Sequence, residues 1–277
     1  MFFNFSYSKV GLMSFFTASV MITITSCQKV IDIDIKNAEP EYVVEAIVTD
    51  TAGESKVLLS ATKNVAENNS FPGISGAVVT ITDNAGISTL FTETTAGKYE
   101  APDFIGAVGK TYSLKVKIDG ETFTASSTMP QKINLDTLFI SDEILFGETR
   151  KLANIAYQDP AGKGQSYRYI QYINDKKTKP IFTNNDDYSD GKYVETKLWY
   201  LVDDDENEDE DIKSGDTVKL DMLCIDPAVY KYWYSVNQSA TGNSQSASPA
   251  NPVSNISGGA LGYFSAHTIQ TKTLLVP

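Results

Sequence analysis

Histidine occurs once, at position 267, and cysteine twice, at positions 27 and 224. That scarcity excludes a zinc site built from His and Cys. It also leaves a serine triad with one possible base, and no Gly-x-Ser-x-Gly elbow accompanies His267. His267 therefore reads as a residue of the final strand. Positive charge is scarce as well, with 23 Lys and Arg against 35 Asp and Glu. No basic patch is available to neutralise phosphates, so nucleic acid is not an expected partner. No catalytic residue and no cofactor are assigned, and the chain is read as non-enzymatic.

The acidic excess is local. The net charge is −12, yet Asp203 to Asp211 (DDDENEDED) alone supplies eight acids. Asp203, Asp205 and Asn207 have the first spacings of a calcium loop and make the one metal candidate. Glu208 stands where such a loop needs glycine and Ser214 where it needs a bidentate glutamate, so the run reads rather as a solvated loop.

One stretch is rich where the rest is mixed. Val10 to Cys27 (VGLMSFFTASVMITITSC) is uncharged, follows Lys9 and is slightly shorter than a bilayer-crossing helix. A cationic start, a short apolar segment and small residues before a cleavage point mark an export peptide. Ile24, Thr25 and Ser26 ahead of Cys27 resemble the bacterial lipobox, so Cys27 is expected to become the first residue and to carry acyl chains inserted in membrane lipid. At about 0.8 kcal/mol per buried methylene, two or three chains anchor far more firmly than one. With Cys27 lipidated, Cys224 has no partner. The alternation Val218, Leu220, Met222, Cys224 places it on the buried face of a strand.

After the signal peptide (residues 1–26) and a tether (27–39), the pattern has period two. Tyr42 to Thr49, Lys56 to Thr62, Ala77 to Thr82, Ser88 to Glu93 and Lys98 to Ala101 read as strands separated by turn residues. Tyr112 to Ile118 and Glu121 to Ser126 flank Asp119-Gly120, the type I′ hairpin signal, with Tyr112, Leu114, Val116 and Ile118 on one face. Residues 40–130 are expected to form an immunoglobulin- or transthyretin-like β-sandwich.

Pro130 and the polar residues after it mark a boundary. Residues 135–277 are expected to form a second β-rich domain, with strands near 138–145, 151–157, 167–173, 193–202 and 217–225. One short helix stands out there, with Asp226 as N-cap, Pro227 at its first position and a stripe of Val229, Tyr230, Trp233, Tyr234 and Val236. The small, polar segment Gly242 to Asn255, with Asn251 and Asn255, is the expected contact loop. Three glycines near Leu261 permit a close approach of backbones before a final strand.

Four stretches carry a family resemblance: Tyr42 to Asp50, Ser75 to Ile81 with Gly97-Lys98-Tyr99, Tyr157 to Pro160 leading to Tyr167-Arg168, and Ser254 to Phe264 (SNISGGALGYF). Together they resemble the cell-envelope lipoproteins of Bacteroidota grouped as domain-of-unknown-function family 4249. The resemblance implies an outer-membrane lipoprotein that assists a TonB-dependent receptor, and it carries over no catalytic or ligand residue. Gln28, Lys29, Asp32 and Asp34 resemble the surface-export signal of such lipoproteins, with the acids displaced from the usual position, so the outer face is the favoured location. Carbohydrate binding or adhesion is the alternative, because Trp199, Trp233 and 11 of the 15 tyrosines fall after residue 150.

Overall fold

Alternation of apolar and polar residues along short β-branched runs makes the structure mostly β, with 55% of residues in strands and 6% helical. The computed structural model describes residues 39–63, 70–145, 147–200, 211–240 and 251–277, and Glu39–Pro277 forms one compact unit. Its strands in chain order are β1 (Tyr42–Thr49), β2 (Lys56–Ala61), β3 (Val78–Asp83), β4 (Ser88–Thr95), β5 (Lys98–Glu100), β6 (Thr111–Ile118), β7 (Glu121–Thr128) and β8 (Leu135–Leu145). There follow β9 (Glu148–Gln158), β10 (Ser166–Ile173), β11 (Lys176–Lys177), β12 (Phe182–Asn185), β13 (Tyr193–Lys197) and β14 (Thr217–Ile225). Helix α1 (Pro227–Ala240), β15 (Ile256–Ser257) and β16 (Leu261–Leu275) complete the chain.

Two strands change partners part-way and so join what would otherwise be separate sheets. β4 pairs with β3 up to Phe91 and with β5 from Thr92 onward. Its two halves therefore belong to two facing layers. Val44, Ala46, Val57 and Leu59 from one layer meet Val79, Ile81, Leu114, Val116 and Phe123 from the other in a single core. The hairpin of β6 and β7 behaves as its sequence requires. Asp119 and Gly120 both have positive φ, 49° and 85°, as a type I′ turn demands.

The second partner-changing strand is β16. Its first half runs parallel to β1, Val43↔Leu261 through Thr49↔His267, and its second half runs antiparallel to β14, Cys224↔Thr268 through Thr217↔Leu275. Among the described residues, the outer edge of the first half has no backbone partner strand and is closed by side chains. Ser254 Oγ donates to the Gly262 carbonyl (2.7 Å), the Asn255 amide takes both polar groups of Phe264 (2.8 and 2.9 Å), and Ser127 Oγ accepts from the Ala266 amide (2.9 Å). A strand edge left bare in this interior would cost the desolvation of each group.

Beyond β16 the sheet continues to β14, β10 and then β11, with β12 also pairing β10. Below it lies the three-stranded sheet β13-β9-β8. Leu135, Ile155, Tyr157, Tyr167, Tyr169, Val218, Leu220, Met222 and Cys224 form the core between them. Met129 closes the first core and Leu135 opens the second. Cys224 is a buried free thiol, 3% exposed, whose pKa burial raises.

Helix α1 lies on the opposite face of the β1-β16-β14-β10 sheet, with Val229, Tyr232 and Trp233 against Tyr263, Leu223 and Ile225. Asp226 is its N-cap as expected, accepting from the amides of Ala228 (2.9 Å) and Val229 (3.0 Å). The other carboxylate oxygen takes the hydroxyl of Ser127, which ties the helix start to β7. Tyr234 departs from the expected stripe. It is 49% exposed, and Tyr232, its ring tilted against Tyr263 with centroids 4.8 Å apart, takes the inward place. Among the described residues no helix is long and apolar enough to cross a membrane.

Gly262 sits where β16 crosses closest to β1. Its φ is +99°, and a Cβ there would meet the Val44 carbonyl oxygen at 2.0 Å. Gly262→Ala is expected to lower stability by about 2 kcal/mol or more, from backbone strain and backbone clash together. Urea denaturation followed by tryptophan fluorescence measures it, and a loss below about 0.5 kcal/mol would mean that the ladder shifts without cost.

Candidate functional site

Period two along three strands sends one set of side chains away from the second core and toward the helix. On β10 these are Arg168, Ile170 and Tyr172; on β14, Asp221, Leu223 and Ile225; on β16, Tyr263, Ser265, His267 and Ile269. Between this face, the side of α1 and the start of β2 lies a cleft of about 250 Å³. Lys56, Glu54 and Lys177 stand at its rim. A larger concavity, about 840 Å³, lies over the outer face of β3, β6 and β7, but it is lined mostly by short Ser and Thr side chains, with Lys115 the one charged residue in its lining. The smaller cleft is the candidate site because charge and burial converge in it.

Arg168 is the centre of that convergence. It is 7% exposed, its guanidinium lies 3.2 Å from the centroid of the Trp233 ring, and Tyr263 accepts a hydrogen bond from it. Among the described residues no carboxylate pairs with it. Burial lowers its pKa, and the largest opposing influences are the oxygens of Tyr263, Tyr172 and Tyr232. Cation–π contact is worth about 2 kcal/mol when desolvated, well short of the cost of burying a guanidinium without a counter-ion.

The field of this charge reaches its neighbours. Lys177 is exposed overall, yet the crowding around its amine lowers its pKa and Arg168 lowers it further. His267 is 3% exposed, and its pKa is pushed down to about 4, first by burial and then by Arg168. Ser265 Oγ and His267 Nδ1 are 2.8 Å apart, so the ring is neutral and hydrogen-bonded at neutral pH. Tyr263 and Tyr232 are each raised to about 12 by burial, with Arg168 pulling both the other way. Asp221 does not cancel the charge. It is engaged by Thr271 (2.6 Å) and Tyr172. The cleft is thus a partly apolar recess with a fixed cation in its wall, a combination that receives an anionic group attached to a flat or aliphatic body.

Cys27 and the calcium candidates Asp203, Asp205 and Asn207 fall outside the described residues. Asn251 is exposed. Asn255 lines the large concavity, and its amide is consumed by the Phe264 backbone, which makes it a clamp on β16. His267 lies on the final strand as expected, and it lines the cleft. Arg168 was within reach of sequence reasoning. A lone arginine on the same alternating face as Ile170 and Tyr172, in a strand (SYRYIQYI) otherwise free of charge, is the signal.

Two measurements test this electrostatic account. Arg168→Met removes an uncompensated buried charge and keeps the aliphatic bulk, so stability should hold or rise by about 1 kcal/mol. A loss above about 2 kcal/mol would make Arg168 a structural tie between helix and sheet. For His267 the folded pKa of about 4 lies below the unfolded 6.5. Above pH 6.5 neither state is protonated and the group contributes nothing. Between pH 6.5 and 4 the unfolded chain takes up a proton that the folded one refuses, so stability falls by up to about 3 kcal/mol. Denaturation midpoints for the parent and His267→Gln across that window should diverge at pH 7 to 4, with the variant the flatter.

Comparison with curated proteins finds no match. The family model described as Domain of unknown function (DUF4249) matches residues 28–273, nearly the whole chain, and the chain therefore belongs to that family.

Proposed function

We propose that this chain is a non-enzymatic lipoprotein, held in the outer membrane by acylated Cys27, that binds a small anionic ligand as accessory to a TonB-dependent receptor. The observation that carries the binding role is Arg168, a buried cation in the wall of a cleft that no acid among the described residues pairs with. The anchor and the receptor rest on the lipobox-like residues before Cys27 and on the family resemblance of a Bacteroidota lipoprotein. A rigid β scaffold suits presentation of such a cleft, because strands fix the direction of each lining side chain.

Carbohydrate binding or adhesion at the cell surface is the second reading. It is favoured by Tyr188, Tyr193 and Trp199, which are 90%, 58% and 47% exposed within a short stretch. Aromatic faces of this kind stack on sugars.

The decisive experiment is isolation from native membranes in mild detergent, with mass spectrometry of partners and with Cys27→Ala as control. Wild-type protein should sediment with membranes and retain a β-barrel receptor, and Cys27→Ala should be released. Retention of Cys27→Ala in the membrane, or persistent absence of a receptor, would overturn the anchor or the accessory role respectively. Thermal shift against small carboxylates and phosphates should show stabilisation that Arg168→Met abolishes; binding to a glycan array alone would favour the second reading.

A further inference from the structure

Three carboxylates converge at one end of the second sandwich. Asp159 follows β9, and Asp186 and Asp190 stand on the turn after β12. Each offers an oxygen within 4.8 Å of the other two. The two stretches are sewn together by backbone bonds, Asp159 amide to Lys192 carbonyl (2.9 Å) and Asp186 amide to Gln165 carbonyl (3.1 Å). Asp159 is 0% exposed and Asp186 3%. No lysine or arginine among the described residues pairs with any of the three.

Each carboxylate is held by one oxygen. Asp159 Oδ1 accepts from the Tyr167 hydroxyl, Asp186 Oδ2 from the amides of Gly164 (2.7 Å) and Gln165 (3.1 Å), and Asp190 Oδ1 from the Gly162 amide (2.7 Å). These bonds orient the group without neutralising it. Burial above all raises the pKa of Asp159, the charges of Asp186 and Asp190 add to the rise, and the Tyr167 hydroxyl and the Gly191 amide oppose it.

A separate observation points to what completes the cluster. Asp159 Oδ2 is buried with no hydrogen-bond partner, and so are Gln165 Oε1 and Ser189 Oγ. Three of the five such orphaned side-chain oxygens among the described residues therefore belong to these two short stretches. Buried acceptors are normally satisfied, and the unpaired Asp159 Oδ2, on a fully buried carboxylate that converges with two others, calls for a cation. Two oxygens bound to one calcium ion at 2.3–2.6 Å are at most about 5 Å apart, which the 4.8 Å limit satisfies.

From this geometry we infer that Asp159, Asp186 and Asp190, with Gln165 and Ser189, form a calcium site. All five donors are hard oxygens, which excludes soft-metal preference. Calcium accepts the irregular, loop-borne set and completes its six to eight ligands with carbonyls and water, whereas magnesium demands a near-ideal octahedron. Bound calcium would pin the β9–β10 turn to the segment before β13.

The test uses the full chain, purified in mild detergent, stripped with chelator and titrated with calcium chloride by calorimetry, with thermal denaturation in parallel. One site per chain is expected, with Tm raised by about 3 °C or more at saturation and a much weaker response to magnesium. Asp186→Asn and Asp190→Asn should each weaken calcium binding about 10-fold or more. The double variant Asp203→Asn, Asp205→Asn should bind as the parent does. Ser189→Ala, which removes only an unpartnered hydroxyl, provides a folded probe if an aspartate variant does not fold, and it too should weaken binding. Absence of both heat and Tm shift at millimolar calcium would overturn the site, as would binding that survives Asp186→Asn and vanishes in the Asp203, Asp205 variant.

Discussion

Backbone pairing between β1 and the first half of β16 is the constraint from which the remaining geometry follows. It is parallel, it joins segments far apart in sequence, and it closes only where Gly262 lets the Val44 carbonyl approach. Once β16 lies beside β1, its second half is delivered to β14, and one continuous strand serves both cores. Ser127, Ser254 and Asn255 then complete the edge that no strand reaches. Side-chain hydrogen bonds thus replace a missing ladder.

The same strand fixes the cleft. Alternation along β16 puts Phe264 and Ala266 in the first core, so Tyr263, Ser265 and His267 must face the helix. Arg168 and Leu223 arrive on that side by the registers of β10 and β14. Two centres of opposite charge, a guanidinium within an aromatic wall and a triad of carboxylates at a turn, thus have no ion-pair partner among the described residues. Natural folds keep such groups where binding outweighs their cost in stability.

Much of the scaffold was legible. The β6–β7 hairpin followed from alternation around Asp119-Gly120, and the helix start from Asp226-Pro227, because both depend on neighbours in sequence. Two-residue β11 and β15 and four-residue β12 were not, since so short a run has no period to read. The site was legible only in part. Arg168 stands out only as a lone charge in an apolar strand, and its burial against Trp233 depends on the position of α1 over that face, which is a tertiary fact. Acid density drew the calcium reading to Asp203, Asp205 and Asn207, whereas Asp159, Asp186 and Asp190 are spread over two turns. The Asp159-Pro160-Ala161-Gly162 composition is that of a turn, and nothing local reveals that the carboxylate within it is buried with one oxygen unpaired.

Partner exchange along β16 also has a kinetic meaning. Val43 meets a residue more than 200 positions later in the chain, and no shorter contact can substitute for that ladder. The search for so distant a partner is an entropic toll that local turns and hairpins cannot lower, so high contact order should make folding slow. Until β16 docks, β1 keeps an open edge and both cores lack a wall. Maturation of the two halves is therefore one event rather than two, set by the arrival of a single late strand.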